Sequence, residues 1–152
     1  MAMWLMKSEP EAYSIDDLKR DKTTMWDGVR NYQARNYMRS MSVGDKILFY
    51  HSNCEVPGVV GLAKVVRTAY PDPTQFDPSD KHFDPASKRD DPRWSLVDVG
   101  FVKKFHRTVS LTELKDQASR LGDFALIRTG NRLSVMSVTQ KQFDLVVSMA
   151  DR

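Results

Sequence analysis

Three places in the chain carry the same helix-start signal, and they cut everything else into strand-sized pieces. Ser14-Ile15-Asp16-Asp17, Ser110-Leu111-Thr112-Glu113 and Thr139-Gln140-Lys141-Gln142 each set a hydroxyl three residues ahead of an acid or amide. The hydroxyl accepts from a free backbone N–H of the first turn while the later side chain reaches back, so each reads as a capping box. A further helix is predicted from about Asn31 to Arg39, with Asn31 as its cap. The last helix would bury Phe143, Val146, Val147 and Met149 or Ala150 at helical spacing. Met3–Lys7, Lys46–His51, Gly58–Arg67, Ser95–Phe105 and Leu133–Val138 are rich in branched and aromatic residues and predict strands. Helices and strands do not alternate, which excludes a doubly wound parallel sheet. An α+β fold follows, with a mixed or antiparallel barrel-like sheet flanked by helices, in one domain spanning residues 1–152.

One stretch obeys neither period. Pro71 to Pro92 holds five of the seven prolines and six aspartates. It is too proline-rich for a helix or central strand, and reads as either a long ordered excursion or a mobile lid. The single cysteine, Cys54, permits no intramolecular disulfide and fits a reducing compartment. The start, Met1-Ala2-Met3-Trp4-Leu5-Met6-Lys7, lacks the pattern of a signal peptide, and no apolar run reaches membrane-span length. A soluble, cytoplasmic protein is the expectation. The net charge of +3 is compatible with a phosphate-bearing partner without demanding one.

Four clusters could carry chemistry. Lys7, Ser8 and Glu9 lie at a strand end, where sheets present ligand-binding groups; the alternative is that they satisfy turn backbone. Met25 to Asn36 packs Trp26, Asp27, Arg30, Asn31 and Arg35 around Gly28, the chemistry of base stacking and base-edge reading. The alternative there is a core Trp26 beside a solvated helix, on which Arg35 and Arg39 share a face that could meet phosphates. Along Phe49-Tyr50-His51-Ser52, alternation sends Tyr50 and Ser52 to one face and Phe49 and His51 to the other. His51 could be a ligand donor, a satisfied core histidine or, with no visible partner, an acid–base group. Trp94, where the excursion re-enters a strand, either closes an aromatic slot opposite Trp26 or anchors the strand in the core.

Several familiar sites are missing. Asp77 to Asp84 lacks the glycine and closing glutamate of a calcium loop, and its one histidine makes no zinc set. There is no phosphate loop, dinucleotide fingerprint, nucleophile elbow or cysteine pair, and Cys54 near His51 has no orienting context. Lys103, Lys104, His106 and Arg107 form a basic run that reads as a solvated edge or a phosphate contact. The expectation is a protein without catalytic residues, metal or cofactor.

Read together, these segments resemble the EVE-domain family, which belongs with the PUA-like folds and is related to YTH domains. The resemblance is carried by Trp4 to Pro10, Trp26 to Asn36, Gly44-Asp45, Phe49 to Ser52, Pro57 to Gly61, Tyr70 to Thr74, Pro92-Arg93-Trp94 and Arg132 to Val135, nearly the whole chain in order. It implies a pocket that accepts one modified nucleobase, for instance a modified cytosine, from DNA or RNA. By that carry-over the pocket candidates are Ser8, Trp26, Asn31, Tyr50, His51, Trp94, Arg132 and Ser134, with Lys7, Arg30 and Arg35 placed against phosphates. In many members of that family the domain is fused to an effector; here the expectation is an effector that is a separate protein. Two other functions stay open: a base- or nucleotide-modifying enzyme using His51 beside Asp27 or Asp98, and a binder of a free small heterocycle.

Overall fold

A computed structural model describes residues 1–152. The strands are β1 (Met3–Ser8), β2 (Thr23–Met25), β3 (Lys46–His51), β4 (Gly58–Pro71), β5 (Ser95–Ser110) and β6 (Val135–Val138). The helices are α1 (Ile15–Asp21), α2 (Tyr32–Arg39), α3 (Leu111–Asp116), α4 (Ala118–Leu121) and α5 (Gln140–Ala150), with 3-10 turns at Pro73–Phe76 and Ala125–Ile127. All three capping boxes form, at Ser14, Ser110 and Thr139, and Asn31 caps α2 by accepting from the Ala34 N–H. β4 and β5 each run past the predicted end, and the short, largely exposed β2 carries no apolar signal that would announce it.

The six strands make one mixed sheet in the order β2-β5-β4-β3-β1-β6, open at β2 and β6. Only β1 and β3 pair in parallel; every other pairing is antiparallel. Both faces are covered, which explains the unbroken apolar runs of β1 and β3. Met3, Leu5, Leu48 and Tyr50 enter one core, beneath α3 and α5. Trp4, Met6, Ile47 and Phe49 enter the other, beneath α1 and α2. Burial of each such side chain contributes roughly 1.5–3 kcal/mol. The pairing of β4 with β5 shifts register repeatedly, which bends and twists the long strands. Gly61 permits one such approach, since a Cβ there would sit 2.4 Å from the Lys103 carbonyl oxygen. No helix is long and apolar enough to cross a membrane.

Pro71 to Pro92 is an ordered, hydrogen-bonded excursion. Asp72, Asp77, Asp80 and Asp84 each accept, through Oδ1, from the backbone N–H two residues on, at Thr74, Ser79, His82 and Ala86. Four successive aspartate turns therefore fold the segment locally. The aspartates that superficially suggest a metal loop are spent on their own backbone. Gln75, fully buried, then ties it down: Nε2 donates to the carbonyls of Asp72 (2.7 Å) and Trp94 (2.8 Å), while Oε1 accepts from the Trp94 N–H and the Ser87 hydroxyl.

Candidate functional site

The parallel register sets Lys7 beside Tyr50 and Ser8 beside His51, so the ends of β1 and β3 emerge together. From there a pocket of about 710 Å³ opens toward the segment after β2 and the far turn of the excursion. Its lining includes Lys7, Ser8, Tyr13, Trp26, Asp27, Arg30, Lys81, His82 and Ser134. β1 and β2 are separated by three strands in the sheet order, so the sheet must curl for both to contribute to one cavity. The volume lies inside the range of about 300–1,000 Å³ usual for ligand sites.

Trp26 is the large aromatic of this lining. Its backbone N–H donates to the Val97 carbonyl (2.8 Å) and its ring meets Phe49 edge-on at 5.4 Å, which holds the indole in place. Ser8 donates its hydroxyl to the Tyr13 carbonyl (2.6 Å), and the Lys7 N–H donates to the Ser134 carbonyl (2.8 Å). Two residues after Trp26 the chain turns at Gly28, with φ of +79°. A Cβ there would lie 2.6 Å from the His82 imidazole, so glycine is what lets the excursion close on the loop.

Asp72 is the knot between these two walls. Fully buried, it accepts through Oδ2 from the Gly28 N–H (2.8 Å) and Arg30 Nη1 (3.1 Å), and through Oδ1 from the Thr74 N–H and hydroxyl. Burial alone would raise its carboxyl, but bonds from Thr74, Gly28 and Arg30 outweigh burial and hold it below the usual range. Arg30 also donates to the carbonyls of Val29 and His82 and to the Thr74 hydroxyl, leaving its guanidinium occupied by the protein. Asp27 stands more than a third open to solvent, yet the surrounding protein raises its carboxyl, with the Asp72 carboxylate as the second cause. Burial likewise lowers the Lys7 ammonium.

The structure brings Lys7, Ser8, Trp26, Arg30 and Ser134 together and holds the other sequence candidates elsewhere. Asn31 spends its side-chain oxygen on the α2 cap. Tyr50 is buried in the core, which pushes its hydroxyl up to about 12, with Lys7 Nζ 5.6 Å from its ring centre. His51 accepts through Nε2 from the Ile15 N–H (3.1 Å), so it anchors α1 as a neutral ring whose basicity burial lowers. Trp94 stacks on Tyr32 (4.9 Å between centres) and donates Nε1–H to Asp84 (2.7 Å), outside the pocket. Arg132 is exposed and lines neither this pocket nor the cleft beside α2. That cleft, about 370 Å³, is lined by Tyr32, Arg35, Arg39, Lys88 and Arg93 among others. Arg35 stacks over Tyr32 (4.8 Å) and donates to the Arg93 carbonyl. Residue-level reasoning passed over Lys81 and His82, which sit in an aperiodic segment, and over Tyr13, whose place follows from α1 docking on His51.

Comparison with known proteins gives the same picture at the level of the whole chain. Residues 2–149 match the EVE domain family. Human thymocyte nuclear protein 1 is 48% identical over 166 residues, covering 98% of this chain and 74% of the human protein. The crystal structure of human THYN1 in complex with DNA containing 5-methylcytosine superposes with a TM-score of 0.95 at 46% identity, covering 100% of this chain and 99% of that one. A crystal structure of a Pseudomonas syringae protein gives a TM-score of 0.95 at 48% identity, over 98% of this chain and 99% of that one. An ASCH protein from Zymomonas mobilis, 12% identical with a TM-score of 0.57, shares the fold alone. With the match running nearly end to end in sequence and backbone, this chain belongs to the EVE-domain family, on the α+β PUA-like fold.

Proposed function

We propose that this chain is a non-enzymatic reader that takes a modified base, 5-methylcytosine in DNA foremost, into the pocket between the end of β1, Trp26 and the excursion. The observation that carries the reading is the human relative's complex with 5-methylcytosine DNA, on a backbone that matches across the full length of this chain. The lining supports it with the Trp26 indole, 8% exposed and otherwise packed in the core, beside polar groups at a strand end. Extruding a base costs a few kcal/mol, and stacking on an aromatic side chain returns roughly 1–3 kcal/mol. Phosphate contacts supply the remainder: Lys7 at the pocket, and Arg35 with Arg39 and Lys88 in the cleft beside α2. Arg30 serves as the strut of the pocket wall, and Trp94 anchors that wall from behind. His51 accepts from Ile15 and Asp98 accepts from the Tyr70 hydroxyl, which supports a binding role over acid–base chemistry at either residue. Residues 1–152 act as one binding unit.

The test is anisotropy with matched duplexes carrying one cytosine, 5-methylcytosine, 5-hydroxymethylcytosine or N6-methyladenine, at two salt concentrations. One added methyl in a fitted slot gives discrimination on the order of tenfold. Trp26→Phe should weaken binding and Trp26→Ala abolish it, with thermal melts reporting the fold of both. Equal binding to every duplex would refute the reading.

A further inference from the structure

A reader of 5-methylcytosine must solve a problem the methyl group cannot. Thymine carries the same methyl at the same ring position, so a slot fitted to the methyl accepts both. The two rings differ on the opposite edge. Cytosine presents an exocyclic amino donor next to acceptors at N3 and O2, whereas thymine presents two carbonyl acceptors flanking an N3–H.

The pocket contains two carboxylates, Glu9 and Asp27. Glu9 is engaged, accepting from Asn53 Nδ2 at 3.2 Å. Asp27 is not: no side chain donates to its carboxylate, and none of the ion pairs of the fold includes it. The backbone on either side is nonetheless pinned, by the Trp26 N–H on Val97 and the Gly28 N–H on Asp72. A carboxylate with no side-chain donor, on a fixed backbone directly after Trp26, is an acceptor prepared for an outside donor. The Asp72 and Asp80 carboxylates nearby deepen the negative field there, partly offset by His82. Of the two lining carboxylates, Asp27 is the one no other side chain occupies, an acceptor where cytosine offers an amino donor and thymine a carbonyl acceptor.

We propose that Asp27 is the residue that selects cytosine over thymine, its carboxylate accepting the exocyclic amino group. The assignment rests on the base-pocket reading above and adds to it the source of specificity. The thymine carbonyl at the same position would meet the carboxylate acceptor to acceptor, and burying two acceptors without a donor is costly. An asparagine can turn its amide to offer a donor instead.

The experiment measures binding to single-site duplexes with 5-methylcytosine, cytosine or thymine at one position, each opposite an abasic residue so that no base pair has to be broken. The wild-type protein should prefer 5-methylcytosine to thymine by tenfold or more. Asp27→Asn should bring the two within about twofold, by weakening 5-methylcytosine and strengthening thymine. Asp27→Ala should weaken 5-methylcytosine without the gain for thymine. Asp27 is open to solvent, so thermal melts of both variants should match the wild type. A wild-type preference that persists unchanged in Asp27→Asn overturns the inference and leaves the base pocket standing, as does equal wild-type binding of 5-methylcytosine and thymine above cytosine. Wild-type binding that ignores the test base altogether refutes the pocket reading and this inference with it.

Discussion

Asp72→Asn is the substitution that most directly probes how the pocket wall is held. In the native protein two oxygens serve four donors: Gly28 N–H and Arg30 on Oδ2, Thr74 N–H and its hydroxyl on Oδ1. Asparagine replaces one oxygen by an NH2 group. If that group faces Gly28 and Arg30, a backbone N–H loses its acceptor and the guanidinium loses its counter-charge. If it faces Thr74, the hydroxyl can rotate to accept but the N–H is orphaned. A buried unsatisfied donor costs about 1–3 kcal/mol, and a charge-assisted hydrogen bond contributes about 1.5–3 kcal/mol. We expect a loss near 3 kcal/mol, which for a domain of this size lowers Tm by about 6–12 °C. Combining Asp72→Asn with Arg30→Met should cost less than the sum of the two, because both remove one shared interaction.

The same substitution should flatten the acid limb of stability. The native carboxyl lies below its unfolded value of about 3.9, so the unfolded chain binds more protons as pH falls. The stability contributed by Asp72 is therefore complete above that unfolded value and lost as pH drops through the folded one. Urea titrations of both proteins, from neutral pH down to the acid transition, read the magnitude and the slope together. A melting temperature unchanged within error, with the native acid limb intact, would refute the view that Asp72 joins the two walls.

Three further outcomes are expected. His51→Gln should remove a component of the pH dependence of stability: the native ring accepts from Ile15 and its folded pKa lies below that of the unfolded chain, so its contribution is full above about pH 6.5 and fades as pH falls toward the folded value, which urea midpoints at a series of pH values read directly. Arg35→Ala should weaken binding to all duplexes alike and reduce the slope of log K against log salt by about one, measured by anisotropy across a salt series. In hydrogen exchange, the amides of Asp72, Asp84 and Trp94, bonded to Trp94, Gln75 and Gln75, should be protected in the free protein and change little when 5-methylcytosine duplex is added.

What could be read from the residues alone was what depends on periodic burial or local capping. β1 and β3 are apolar on both faces because both faces are covered, and three capping boxes and the Asn31 cap mark helix starts within a few residues of chain. β2 escaped because three residues on an edge, two exposed and one half-buried, carry no apolar pattern. Among site residues, Lys7, Ser8, Trp26 and Ser134 could be placed in one cavity because strand ends and a family resemblance both pointed there. The place of His51 depended on a partner 36 residues away, the Ile15 N–H, which no local spacing shows. Asn31 and Arg30 are polar in the way binding residues are polar, yet the protein itself consumes their hydrogen-bonding capacity.

The excursion shows why composition misleads at this point. Proline and aspartate suggest a solvated loop, and a solvated loop would make a lid. Here each aspartate turn satisfies backbone locally, and the turns are then fastened by side chains with no polar capacity left over. Gln75 uses both ends of its amide in four bonds, Asp72 serves four donors, and Trp94 stacks on Tyr32 beneath Arg30. A buried polar network satisfied to this degree specifies one arrangement, since any shift of the segment orphans several groups at once. The wall that carries Lys81 and His82 is therefore formed before a ligand arrives, and ordering it adds no entropic cost at binding. That separates two roles which look alike in the sequence: Asp72, Asp80, Asp84 and Arg30 are committed to building the wall, and Asp27, which accepts from no other side chain, remains available to read what enters the pocket.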